Sequence, residues 1–182
     1  DRLRSRGLGD VYKRQVQGAA INHYATMSDE ELYQLPVAEI AADNCVLLLW
    51  ATFPKLPEAL RLIEAWGFQY KTVGFVWVKT NPSGNGFFLG LGWWTRSNAE
   101  ICLLAVRGKP KRQCAGISQL IISPRERHSK KPDIVRNLAV TLVGDVPRIE
   151  LFARETSTGW DVWGNEVDCS ITLTQSEGDV HE

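Results

Sequence analysis

The run Cys45-Val-Leu-Leu-Leu-Trp50 constrains what this chain can fold into more than any other stretch of it. It is too short for an ordinary helix and has no polar face, so it reads as a strand buried on both sides. Strands of that kind belong to parallel sheets covered by helices. The neighbouring sequence supplies the helices. Ser28 followed by Asp29, Glu30 and Glu31 is a capping-box start, and with Leu32 and Leu35 facing inward it predicts a short helix over 29–35 that stops near Pro36. Pro54 and Pro57 open a second helix, in which Leu56, Leu60 and Ile63 recur at helical spacing before Gly67 ends it.

The pattern continues. Residues 68–79 are rich in β-branched and aromatic side chains and predict a second strand, with a third over 101–106 and a fourth over 117–122. Pro132 starts a helix through Ile134, Val135, Leu138 and Leu142 that Gly144 closes, and residues 148–153 form a last buried strand holding one carboxylate, Glu150. Between the second and third strands, residues 81–95 carry Gly84, Gly86, Gly90 and Gly92 among Phe87, Phe88, Trp93 and Trp94 with no period. Aperiodic loops of that length are usually functional or disordered. Strands alternating with helices predict an α/β layer architecture with a largely parallel sheet. With 182 residues, 44% of them hydrophobic, the chain suffices for one domain with a real core.

That domain is expected over residues 16–167. Residues 1–15, DRLRSRGLGDVYKRQ, show no amphipathic period and read as a non-native segment resembling translated adaptor read-through, the competing reading being a basic arm. The segment from Asp168 to Glu182 is polar and is expected to fray.

Charge balances, with 21 basic and 21 acidic residues, so net charge points to no partner. Its distribution is more informative. Between Arg107 and Lys131 lie Lys109, Lys111, Arg112, Arg125, Arg127 and Lys130 against a single acid, Glu126. Such a cluster is either a phosphate footprint or a solvated face. The four cysteines (Cys45, Cys102, Cys114, Cys169) form no C-x-x-C pair, and with only three histidines they suggest neither a disulfide framework nor a metal site. No apolar run reaches the length of a membrane span, and a reducing, cytoplasmic setting is the default expectation.

Two segments could carry ligand chemistry, both at the expected carboxyl ends of strands. Glu150 inside a buried strand needs a partner. It is either in a structural ion pair with Arg148 or Arg154, or it holds a polar ligand group such as a ribose. In Gly159-Trp-Asp-Val-Trp-Gly-Asn-Glu166, two tryptophans beside a glycine and an amide either wall a base or stack as core. The Gly84-x-Gly86 and Gly90-x-Gly92 pairs lack the third glycine and the strand-to-helix setting of a dinucleotide fingerprint.

Taken in order, several stretches resemble the MT-A70 family of adenine-N6 methyltransferases: Leu47-Leu-Leu-Trp-Ala-Thr52, Glu64-Ala-Trp-Gly-Phe68, Phe75-Val-Trp-Val-Lys79, Asn98-Ala-Glu-Ile-Cys-Leu-Leu104, Arg107-Gly-Lys-Pro110, His128-Ser-Lys-Lys-Pro-Asp133, Ile149-Glu-Leu-Phe-Ala-Arg154 and Trp163-Gly-Asn-Glu166. Each is weak alone, whereas the ordered set over residues 23–167 is specific. The resemblance implies a Rossmann-like methyltransferase sheet flanked by helices and incomplete at its N-terminus, with S-adenosylmethionine as methyl donor. It implies that Lys131 lies near donor and target base, that Glu150 and Arg154 bind the donor's ribose and polar tail, and that Asn165 and Glu166 bind its adenosine. Trp93, Trp94 and Arg96, with Lys109, Lys111 and Arg112, fall where the family approaches nucleic acid, DNA being favoured over RNA. Pairing into a homo- or heterodimer stays open.

One departure stands out. The family's Asp-Pro-Pro-Trp signature does not occur in this sequence, and Asn81-Pro82-Ser83 is a poor imitation of it. No catalytic residue is therefore assigned, and this chain alone is expected to be inactive. The alternatives are a catalytically dead nucleic-acid-binding or partner subunit, and a different nucleotide-dependent enzyme such as an oxidoreductase.

Overall fold

The computed structural model describes residues 27–92, 94–126 and 130–173. The expectations for residues 1–15, for Trp93, for His128 and Ser129 and for residues 174–182 lie outside them.

Helix α1 (Asp29–Tyr33) begins as expected: the Ser28 hydroxyl accepts from the Glu31 N–H at 3.2 Å, and the Glu31 carboxylate accepts from the Ser28 N–H at 2.6 Å. Together they satisfy two of the orphan donors of the helix start. A short α2 follows (Val37–Ile40), then strand β1 (Cys45–Ala51), a 3-10 turn (Phe53–Lys55) and α3 (Leu56–Ala65). The Trp66 indole N–H donates to the Leu32 carbonyl at 2.9 Å and ties α1 to the end of α3.

Strands β2 (Gln69–Thr80), β3 (Ala99–Arg107) and β4 (Leu120–Pro124) join β1 in a four-stranded sheet of order β1-β3-β2-β4. Strand β3 runs antiparallel to both neighbours, while β2 and β4 are parallel. After helix α4 (Ile134–Val143), β5 (Ile149–Leu151) and β6 (Asp161–Trp163) form a separate parallel pair. The chain is thus α/β with a mixed sheet, which corrects the largely parallel one expected. The reason lies in the connection: parallel neighbours need a crossover element, and the glycine-rich segment after β2 folds straight back through a Thr80–Phe87 bridge and a Gly90 N–H bond to Ser97.

Strand β1 also sits differently from its expected place. It pairs with β3 on one side and is the edge of its sheet, and residues 45–50 are only half-buried. Its two faces are nevertheless both packed. Leu47, Leu49 and Ala51 join the core under α3 with Ile63, Trp66 and Leu103, whereas Leu48 and Trp50 join a second core with Phe75, Trp77, Cys102 and Val135 of α4. Two covered faces explain the unbroken apolar run. Helices therefore lie on both sides of the sheet.

Gly144 closes α4 with φ 89° and donates its N–H to Val140, a conformation that favours glycine. The expected fraying does not begin at Asp168: Ser170 N–H donates to the Val162 carbonyl at 2.9 Å and its hydroxyl accepts from the Val162 N–H at 2.8 Å. No helix among the described residues is long and apolar enough to cross a membrane.

Candidate functional site

Because β1, β2 and β4 run in one direction and β3 in the other, the segments after β1, β2 and β4 emerge at the same end of the sheet where β3 begins. Three side chains meet there. Glu100, paired with Trp77 across β3 and β2, is 12% exposed, and its two oxygens each lie 2.5 Å from a lysine ammonium: Lys79 on Oε1 and Lys131 on Oε2. Lys79 lies 4.9 Å from the Trp77 ring centroid and Lys131 5.7 Å from that of Trp50. The two indoles pack edge to face at 6.3 Å. One carboxylate between two ammonium groups leaves a net positive charge over aromatic faces, a setting that attracts anionic or electron-rich partners. Burial alone would raise the Glu100 carboxyl, but the two lysines outweigh it and hold it below the ordinary carboxylate value.

Lys131 stands just before α4, and a second set of charges gathers where the chain enters that helix. Lys130 pairs with Glu126 at 2.9 Å and Asp133 at 2.8 Å. Arg136 donates from Nη1 to Asp133 at 2.6 Å and from Nε to Glu150 at 2.7 Å. The ion partner of Glu150 is therefore Arg136, not Arg148 or Arg154, and its side chain is 33% exposed rather than buried. Sequence distance misled here, since strand alternation turns Glu150 away from Leu151, which packs in the α3 core.

Past β5 the chain makes an unusual turn. Phe152 has φ 59°, the single non-glycine positive φ among the described residues, and its 44% exposed ring stands edge-on to Trp163 at 5.4 Å. A non-glycine residue in that region costs on the order of 1 kcal/mol or more, and such strain gathers at ligand sites. Ala153 N–H bonds the Trp163 carbonyl, and a Cβ on Gly164 would lie 2.3 Å from the Ala153 oxygen, so this close approach requires the glycine. Arg154 Nε lies 2.9 Å from Glu166 Oε1, and Asn165 is exposed beside it.

Lys131 thus ends on Glu100 just ahead of α4, Glu150 is held by Arg136 of the first turn of that helix, and Arg154, Asn165 and Glu166 follow the ends of β5 and β6. Trp94, 93% exposed, and exposed Arg96 lie in the loop between β2 and β3 at the same end of the sheet as Glu100. Lys109, Lys111 and Arg112 do not join them. They follow the far end of β3, roughly 24 Å from Glu100 at about 3.4 Å per strand residue. There the Gln113 N–H bonds the Leu142 carbonyl, so the basic segment sits by the C-terminal end of α4, where cations are favoured. Sequence reasoning missed Glu100, Lys79, Trp50, Arg136 and Phe152. Glu100 alone gave a signal: a carboxylate opening the apolar strand Ala99–Arg107.

The chain matches the MT-A70 family over residues 11–166. It is 34% identical over 187 residues to the type II methyltransferase M.MunI of Mycoplasma sp, an overlap covering 100% of this chain and 76% of that protein. It is 28% identical over 149 residues to the N(6)-adenosine-methyltransferase catalytic subunit METTL3 of Homo sapiens, over 80% of this chain and 25% of that one. With the N(6)-adenosine-methyltransferase MT-A70-like protein of Arabidopsis thaliana the identity is 28% over 148 residues, 80% of this chain and 21% of the relative.

Proposed function

The chain belongs to the MT-A70 family, and from that premise we propose that it forms the donor-binding and base-facing part of an S-adenosylmethionine-dependent adenine-N6 methyltransferase acting on nucleic acid, DNA before RNA. The observation that carries this reading is the pair of contacts at the start of α4: Lys131, just ahead of the helix, ends on Glu100 at 2.5 Å, and Arg136 in its first turn holds Glu150 of β5 at 2.7 Å. Open α/β sheets bind ligands at the carboxyl ends of their strands. DNA is placed before RNA by analogy within the family alone.

The residues fit the donor. Glu150 has one carboxylate oxygen on Arg136 and, among the described residues, no hydrogen bond on the other, which can accept from a ribose hydroxyl. Arg154, Asn165 and Glu166 supply polar groups for the amino-acid tail and the adenosine, beside the exposed ring of Phe152. Bound there, S-adenosylmethionine supplies a methyl group activated by its sulfonium. Lys131, with one N–H on Glu100, has further N–H donors to offer the base. Trp94 and Arg96 offer stacking and charge to the strand.

Adenine's exocyclic amine is a weak nucleophile because its lone pair is delocalised into the ring. Attack needs acceptors on that amine, an aromatic under the extruded base and an in-line methyl. The described residues provide the donor and lysine sides of this arrangement, and no Asp-Pro-Pro-Trp sequence provides the acceptors. Leu151 of β5 packs into the same core as Leu47 and Leu49 of β1, yet no pairing joins the two strands among the described residues. The chain by itself is then a donor-binding protein without turnover.

Calorimetry with S-adenosylmethionine, alongside methyl transfer to adenine-containing DNA and RNA oligonucleotides, tests the proposal. Donor binding without transfer is the expected result. Failure to bind the donor, or binding of NAD in its place, overturns it. Transfer by the chain alone would retain the donor site and remove the requirement for the missing motif.

A further inference from the structure

Arg136 belongs to none of the motifs that carry the family resemblance, yet among the described residues it is the one side chain that pairs with Glu150. Its guanidinium is held at two points. Nη1 donates to Asp133 Oδ1 at 2.6 Å, within the same helix turn, and Nε donates to Glu150 Oε2 at 2.7 Å across to β5. Nη2 lies 4.0 Å from Glu155 Oε1. The side chain is 20% exposed, against 33% for Glu150. Asp133 therefore fixes the plane of the guanidinium, and that plane fixes Glu150 Oε2. The other oxygen, Oε1, accepts nothing among the described residues.

A carboxylate that recognises a vicinal diol must be held in one rotamer, or the ordering cost falls on the ligand. A guanidinium beside one oxygen supplies that orientation. A lysine reaches the same place as a single point charge without the planar fork, and does not fix orientation in the same way.

We infer that Arg136 is the positioning residue of the donor site, orienting Glu150 so that its second oxygen selects the ribose diol of the adenosyl group. The inference rests on the donor-binding reading above and adds the residue that gives it ribose selectivity. Arg136 does not touch the donor. It acts through Glu150.

The test is calorimetry on the full chain with two probes, S-adenosylhomocysteine and its 2′-deoxyribose analogue. The unaltered chain should prefer the ribose compound. In Arg136→Gln the affinity for S-adenosylhomocysteine should fall roughly tenfold, the worth of one oriented hydrogen bond to a charged group, while the deoxy compound changes little and the preference collapses. Should Arg136→Gln not fold, Arg136→Lys keeps the charge near Asp133 and Glu155 and should show the same collapse. Equal loss for both probes, or a preserved preference, overturns the role of Arg136. A chain that binds S-adenosylhomocysteine and whose Glu150→Gln variant loses the preference, while Arg136→Gln keeps it, overturns Arg136 alone and leaves the donor site standing. An unaltered chain that binds neither probe overturns the donor site and this role with it.

Discussion

The Lys131 ammonium lies 2.5 Å from Glu100 Oε2, so a residue just ahead of α4 is anchored to the start of β3 across 31 positions of sequence. Lys79 takes the other oxygen. The three charges work as one unit, and removing the carboxylate sets two ammonium groups against each other.

Glu100→Gln should destabilise the fold by about 2 kcal/mol at neutral pH, less than a fully buried pair because both lysines keep some solvent contact. The sign with pH follows from the lowered carboxyl. A folded-state value below the ordinary 4.5 contributes stability above 4.5, and that contribution is lost as pH falls through the folded value. Urea unfolding of both proteins should show the gap at pH 7 and its closure in acid. A gap that persists unchanged in strong acid would mean that packing, not charge, sets the difference.

Glu150→Ala should weaken S-adenosylmethionine binding by roughly tenfold or more, since it removes the acceptor and leaves Arg136 without its partner on β5. Calorimetry reads the affinity directly. Unchanged affinity would remove Glu150 from the donor site.

Substituting Lys109, Lys111 and Arg112 together by alanine should weaken nucleic-acid binding and flatten its salt dependence by up to about 0.9 in log–log slope for each phosphate that is no longer neutralised. Donor affinity should stay as it was, because the segment follows the far end of β3 from Glu100. If neither affinity nor slope moves, these residues form a solvated face at the end of α4.

The Cys102 thiol, fully buried in the core under α4, has its pKa pushed up to about 12 by that burial, against a small opposing pull from Lys131. Only the thiolate reacts. In the folded chain at pH 8 a maleimide should modify exposed Cys169 within minutes and Cys102 only on unfolding. Peptide mapping by mass spectrometry separates the two, and prompt labelling of Cys102 would show that this core opens.

Local physical rules made much of the chain readable in one dimension. The Ser28–Glu31 capping box, the helix ended by Gly67, the helix closed by Gly144 and the apolar strands at β1, β2 and β3 all depend on residues a few positions apart. Their signals therefore survive in the sequence. The ordered motifs identified the family for the same reason. Tertiary structure decided what depends on distant residues. Strand direction was set by a connection that contains no crossover helix, so β3 turned antiparallel and β1 became an edge. Ion partners were set by which faces met: Glu150 chose Arg136 on a packed helix over Arg148 and Arg154 beside it in the chain, and Glu100 gathered Lys79 and Lys131 from two other segments. A charge seeks its partner through space, whereas composition and spacing report only along the chain.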